Sequence, residues 1–391
     1  MRVYVWCAFL VTAVLFGAAA PAPRTALADA APPPFALGGD VGPGGFPTHV
    51  RMVSERVLMT ISDAPDHPVR DGGDRPSDAM IGHVTATFVM RNEGDSTESI
   101  DVRFPLQRDQ YEWAISEGFA ATVDGSPVEV HNADQHGLPF SDATGEAFGP
   151  EKWATWPATF PPGTDVALGV TYDVRPTGYG PYGTFGYVLD TGAGWAGTIG
   201  EAEVRVRLPY AANAQNLALD ADLGWGTAVN PRGFKIMGTD ITWHFMDLEP
   251  SASDNIRLTV LVPRLWTAVI AARAEVANAT NPSRAQLSRL AIALDNAGVF
   301  GIGSDAALAA EARVAYERAI ERAPGDFDLQ IDDIVYRAMV EGCHPYDWYE
   351  CYSDRLRADV ERALARSPND ARLKDLAEHR AGATQGAHDA T

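Results

Sequence analysis

The triplet Asp190-Thr191-Gly192 stands directly behind the apolar run Tyr187-Val188-Leu189, which places a carboxylate on a glycine turn. The chemistry open to such a group is hydrolysis, in which two carboxylates face one water and share a proton, one withdrawing it while the other stays charged. One triplet supplies one carboxylate, so the second would have to come from a symmetric partner chain. A second candidate is the acidic stretch SDAPDHPVRDGGDRPSD at positions 62–78, whose Asp63, Asp66, Asp71, Asp74 and Asp78 offer hard oxygen ligands to calcium. Their spacing matches no known calcium loop, and a solvated hairpin loop accounts for the same residues. A third is CHPYDWYEC, where Cys343 and Cys351 are the only cysteines besides Cys7 and where Tyr346, Trp348 and Tyr349 could form a recognition tip. In an oxidising compartment the two thiols pair, and a disulfide closing so short a loop stabilises by about 2 to 3 kcal/mol. His344 beside them adds a third potential ligand without the paired spacing of a zinc site, so no metal is assigned. In WATWPATF, finally, Trp153 and Trp156 could offer a platform to sugar or peptide, although aromatics beside prolines also cap cores.

Other motifs dissolve when the elements around them are considered. GYGPYG at positions 178–183 fits a dinucleotide fingerprint in letters, but Pro181 and the apolar run behind it remove the helix whose N-terminus would hold phosphate. The histidines His49, His67, His83, His131, His136 and His244 show no metalloprotease spacing, and no nucleophile-elbow motif occurs. No cofactor is implied. Around Asp190, Ala193 continues the retroviral-type protease pattern and Ile236-Met237-Gly238 resembles the segment supporting the catalytic loop in that family, whereas Gly194 and Trp195 depart from it. A hydrolase of aspartic-protease type using Asp190 is therefore the alternative reading. The simpler one is a strand over 185–189, a glycine-rich turn over 191–200, and a further strand over 202–208, with Trp195 folded back over the sheet edge.

The elements that would position these residues show two periods. Val84, Ala86, Phe88 and Met90 alternate with Thr85, Thr87 and Val89, and Ile100, Val102 and Phe104 alternate with the outward Asp101 and Arg103; Val166, Leu168, Val170, Tyr172 and Val174 form another such row, as do Ala202, Val204, Val206 and Leu208. Ile241, Trp243 and Phe245, and Ile256, Leu258, Val260 and Val262, complete the series. Asp124-Gly125 between two such rows marks a hairpin. Many strands with one polar face and no intervening helix predict an antiparallel, Ig-like β-sandwich over 48–263. From Arg264 the period becomes helical, giving an all-α helical-hairpin region over 264–380 and a multidomain chain. In AEARVAYERAIERAPGD, Ala312, Tyr316, Ala319 and Pro324 stand as in the second helix of a tetratricopeptide repeat, which the segment resembles. In RLRADVERALARSPND only Ala363 and Pro368 match, with Val360 and Leu356 at the other two positions. The resemblance implies paired helices, covers part of the region, and needs the sheet or extra helices to complete a core.

The first residues carry an address: Arg2, an apolar stretch over 3–20, and Ala26-Leu27-Ala28, the small-x-small pattern of a signal peptidase site. We expect a signal peptide over 1–28, a Pro/Gly-rich linker over 29–47 and a disordered tail over 381–391. The net charge of -21 opposes binding to nucleic acid or to an anionic membrane surface, and no later stretch suggests a membrane span once the signal is removed. The segment YVLDTGAGWAGTIGEAEVRV is similar to one in exported bacterial proteins with a β-rich domain of unknown function, and the resemblance implies only export. The sequence thus points to an exported protein, periplasmic or extracellular and associated with the cell surface. It favours a non-catalytic role as an interaction or structural module with a protein partner in the envelope. Calcium-dependent adhesion and the Asp190 hydrolase are the alternatives.

Overall fold

The computed structural model describes residues 48–64, 79–107, 116–135, 151–177, 181–189, 192, 194–219, 229–251, 253–298, 305–340 and 353–377. Its strands in chain order are β1 (Val50–Asp63), β2 (Met80–Asn92), β3 (Glu98–Gln107), β4 (Ser116–Val123), β5 (Ser126–Pro127), β6 (His131–Gln135) and β7 (Glu151–Phe160). They continue as β8 (Asp165–Val174), β9 (Tyr182–Tyr187), β10 (Ile199–Arg207), β11 (Lys235–Met237), β12 (Asp240–Leu248) and β13 (Ile256–Leu261). The named helices among the described residues are α1 (Pro263–Ala277), α2 (Arg284–Ala297), α3 (Asp305–Arg322), α4 (Phe327–Val340) and α5 (Asp354–Arg366).

Eight strands form one sheet in the order β11-β12-β10-β1-β2-β8-β4-β5. Strand β1 lies antiparallel to β2 but parallel to β10, from Ser54 beside Glu201 to Thr60 beside Arg207. This corrects the expectation of a purely antiparallel, Ig-like sandwich. Alternation with period two records which face of a strand is buried and carries no information on the direction of its neighbour. The alternating rows do lie inside: Val84, Ala86, Phe88 and Met90 of β2, Val166 to Val174 of β8 and Ala202 to Val206 of β10 share one buried face. The opposite face carries Thr85, Thr87, Glu203 and Arg205.

In β1 the parity changes at an irregularity between Met52 and Ser54, so that Val50 and Met52 point inward first and Glu55, Val57, Met59 and Ile61 afterwards. Gly200 of β10 lies against this bulge, where a Cβ would fall 2.5 Å from the Val53 carbonyl oxygen. Two smaller sheets, β3-β7-β6 and β13-β9, contribute to the same core. Phe104 of β3 reaches Phe119 of β4 at 5.0 Å and Tyr172 of β8 at 5.1 Å between ring centres. Asp124 and Gly125 both have positive φ, 50° and 75°, as a two-residue primed turn between β4 and β5 requires.

Helix α1 starts with Pro263 in its first turn, and its Arg264 amide donates to Asp63 Oδ1 at the end of β1, 3.0 Å away. Ser283 and Gln286 form a reciprocal capping box at the start of α2. The buried faces of α1 to α3, with Trp266, Leu287, Leu294, Leu308 and Tyr316, belong to the same core as the sheets. Arg273 of α1 fastens the joint: it donates to Glu311 of α3 at 3.0 and 2.6 Å and to Gln215 of the β region at 3.2 Å, and it lies 5.3 Å from the Trp266 ring centre. A separate core of Ile331, Ile334, Ala338, Leu356, Val360, Ala363, Leu373 and Leu376 joins α4, α5 and the helical residues 371–377. Among the described residues no helix is long and apolar enough to cross a membrane.

Candidate functional site

The helical half contains a polar seam with titration behaviour unlike that of ordinary surface carboxylates. Asp295 follows Leu287 and Ala291 along one stripe of α2, so the helix turns it inward toward α3. There it accepts a hydrogen bond from the Tyr316 hydroxyl at 3.1 Å. The Tyr316 ring lies 5.4 Å from that of Tyr336 on α4, whose hydroxyl donates to the Ala309 carbonyl at 2.5 Å. Burial pushes the Asp295 carboxyl up to about 6, the Tyr316 hydroxyl opposes this, and the charge of Asp332 adds to it. Burial, then the Asp295 charge, raises the Tyr316 phenol far above its ordinary value.

Arg337 stands at the far end of the seam and bridges Asp333 at 2.9 Å and Asp359 of α5 at 2.8 Å. Burial nevertheless raises Asp333, with Arg337 working against it. Asp332 turns away to Arg372 at 2.6 Å. The seam therefore sets one buried acid against a phenol and ties the neighbouring carboxylates to arginines. It can hold or release a proton near pH 6, but among the described residues Asp295 has no second free carboxylate with which to bracket a water.

A second buried acid lies in the sheet. The bulge in β1 turns Glu55 into the core, where Tyr187 of β9 donates to its Oε1 at 2.8 Å. This bond ties the small β13-β9 sheet to the middle of the large one.

The residues singled out in the sequence are distributed as follows. Trp156 is buried in β7, its ring 5.8 Å from Phe119, which is the place of a core aromatic. Trp153 holds the register position of β7 opposite Pro105 and Ala133. Of the acidic stretch, Asp63 caps α1, while Asp66, Asp71, Asp74 and Asp78 lie outside the described residues. Asp190, Cys343, Cys351, Tyr346, Trp348 and Tyr349 lie outside them too, as do the stretches 1–28, 29–47 and 381–391 expected to be a signal peptide, a linker and a tail. Trp195, which follows Asp190 in the sequence, is buried with its ring edge-on to Phe160 at 6.1 Å. No set of three or more His, Cys, Asp or Glu suited to a metal occurs among the described residues.

Asp295 was missed in the sequence, although its spacing of four and eight from Ala291 and Leu287 places it on the apolar stripe. Glu55 gave no such signal, because its inward position depends on the bulge.

No family model and no curated protein matches the chain. Among solved structures, a Legionella pneumophila protein provisionally described as nutrient binding aligns over 86% of this chain and 94% of its own, with 19% identity and a TM-score of 0.44. An M1 zinc metallopeptidase of Deinococcus radiodurans aligns over 54% of this chain and 42% of its own, with 13% identity and a TM-score of 0.27. Likenesses of this size leave the functional reading to the residues themselves.

Proposed function

We propose that the chain is an exported, non-catalytic protein of the cell envelope or its surroundings, and that its helical half docks a protein partner. The observation that carries this is the way the helices stack. Each of α1 to α5 packs chiefly on its neighbour in sequence, and the last hairpin closes on a core of its own. A stack of that kind extends a surface outward from the body that anchors it. The solvent side of α5 presents Arg355, Glu361, Arg362 and Arg366, so the partner is recognised by complementary charge at the rim. In this reading the stretch 341–352, between α4 and α5 in the sequence, would supply the aromatic residues Tyr346, Trp348 and Tyr349 to the partner, with a Cys343–Cys351 bridge holding it.

Two experiments test the proposal. Fractionation with mass analysis of the mature N-terminus should find the chain outside the cytoplasm and beginning at Asp29. A cytoplasmic chain that retains Met1 refutes the export step. Capture from envelope extract should lose the same partner with the double variant Arg355→Glu, Glu361→Arg and with Trp348→Ala, and should keep it with Asp190→Asn. Capture unchanged by the first two variants removes the helical half as the docking surface, and capture abolished by the third returns attention to Asp190.

A further inference from the structure

The outer face of the β3-β7-β6 sheet carries an arginine, Arg103, that makes no ion pair among the described residues. Val102 and Phe104 of β3 and Ala154, Trp156, Ala158 and Phe160 of β7 point into the core, so Asp101, Arg103, Thr155, Pro157 and Thr159 face outward. The register sets Arg103 directly opposite Thr155, and Thr155 opposite His131 of β6. Residues so paired share a face with Cβ atoms about 5 Å apart, which puts a guanidinium, a short hydroxyl side chain and an imidazole in one row across three strands.

Arg103 is the unusual member of this row. Its Nε is buried with no hydrogen-bond partner, and among the described residues its guanidinium has no carboxylate in ion-pair contact. Other outward arginines of the β region are engaged: Arg91 holds Asp165 at 2.6 Å and Arg207 holds Asp240 at 2.8 Å. The one acid on the same face of β3, Asp101, is exposed and lies two residues back along the strand. Burial draws the Arg103 guanidinium below its usual value and the Asp101 charge only opposes this, as expected for a cation that has lost water without gaining an acceptor. Thr155 gives its hydroxyl proton to the His131 carbonyl at 3.2 Å, while the His131 ring is exposed.

We propose that Arg103 and His131, flanking the short Thr155, form a binding site for a single carboxylate group, such as that of a small organic acid or a peptide C-terminus. The planar guanidinium presents a fork that matches the two oxygens of a carboxylate, and an imidazole N–H can reach the same group from the other side. The charge balance selects the class. Arg103 offers one positive charge while Asp101 repels anions, so a singly charged carboxylate is opposed less than a phosphate dianion.

The test is isothermal titration calorimetry on the full chain with four probes: acetate, the dipeptide Ala-Ala, its C-terminal amide, and inorganic phosphate. Acetate or Ala-Ala should bind more tightly than the amide and phosphate, and binding by acetate alone or by the dipeptide as well separates the two sources of the carboxylate. Arg103→Gln should weaken binding about tenfold, the loss of one charge-assisted pair, and Asp101→Asn should strengthen it. If Arg103→Gln does not fold, Arg103→Lys keeps the charge without the fork and should show the same direction of loss. Equal binding of the acid and its amide, tighter binding of phosphate, affinity unchanged in the Arg103 variants, or no heat from any probe each overturns the site.

Discussion

Carboxylates of the sheet and of the helical seam meet arginines at similar distances, yet they shift in opposite directions. On the solvent face of the sheet, Asp165 takes both ends of Arg91 at 2.6 and 2.7 Å, and Asp240 takes Arg207 at 2.8 and 2.9 Å. Hydrogen bonds from these arginines hold both carboxyls below their ordinary value. In the seam Asp333 has Arg337 at 2.9 Å and is still raised, because burial outweighs the pair. The partner decides where water remains, and desolvation decides where it has been removed. The pH dependence of stability follows with opposite signs. The sheet pairs contribute above the ordinary aspartate value and are lost as the pH falls through their lowered folded values. Asp295, raised from 3.8 to about 6, contributes most below 3.8, and that contribution disappears as the pH rises toward about 6.

The sharpest test of the contrast between the regions is in their cores. Phe88→Ala, in the middle of β2 and fully buried, should cost about 3 to 5 kcal/mol and lower the main unfolding transition, followed by chemical denaturation. Leu356→Ala, in the small core of the last hairpin, should cost about 3 kcal/mol locally. Hydrogen exchange should then accelerate in α4 and α5 while β2 stays protected, and equal acceleration in β2 would erase the distinction between the two cores. Asp295→Asn keeps an acceptor for Tyr316 and removes the buried charge. It should stabilise by up to about 3 kcal/mol at pH 8 and by nothing at pH 4, measured as paired denaturation curves. The smallest effect belongs to Ser283→Ala, which should cost about 1 kcal/mol by removing the cap of α2, read as a shift in melting temperature.

The sequence disclosed burial better than arrangement. The alternation in β2, β8 and β10 marked each buried face, and Asp124-Gly125 marked its turn, because side-chain parity and positive φ are local properties. The parallel contact of β1 with β10 depends on residues far apart in the chain and left no local trace, so the strands were assigned to the wrong kind of sheet. Glu55 was hidden for a related reason: a bulge between Met52 and Ser54 shifts the parity behind it. Trp156 was ambiguous in the sequence because platform and core place the same residue types side by side, and its burial beside Phe119 resolves it as core. Asp295 could have been read, since its spacing follows the apolar stripe of Leu287 and Ala291. Arg103 was assigned correctly to the outward face, and only the paired strands reveal what stands beside it.

The adjacency of β1 and β10 bears on how the chain is made. Arg51 at the start of β1 donates to the carbonyl of Thr198, a residue 147 positions later, so the central strand leaves the ribosome long before its parallel neighbour. Until that neighbour arrives, one flank of β1 stays open, and closure must await a search across a large loop, which slows assembly. The central sheet of a newborn chain therefore stays incomplete at least until Arg207 has been made.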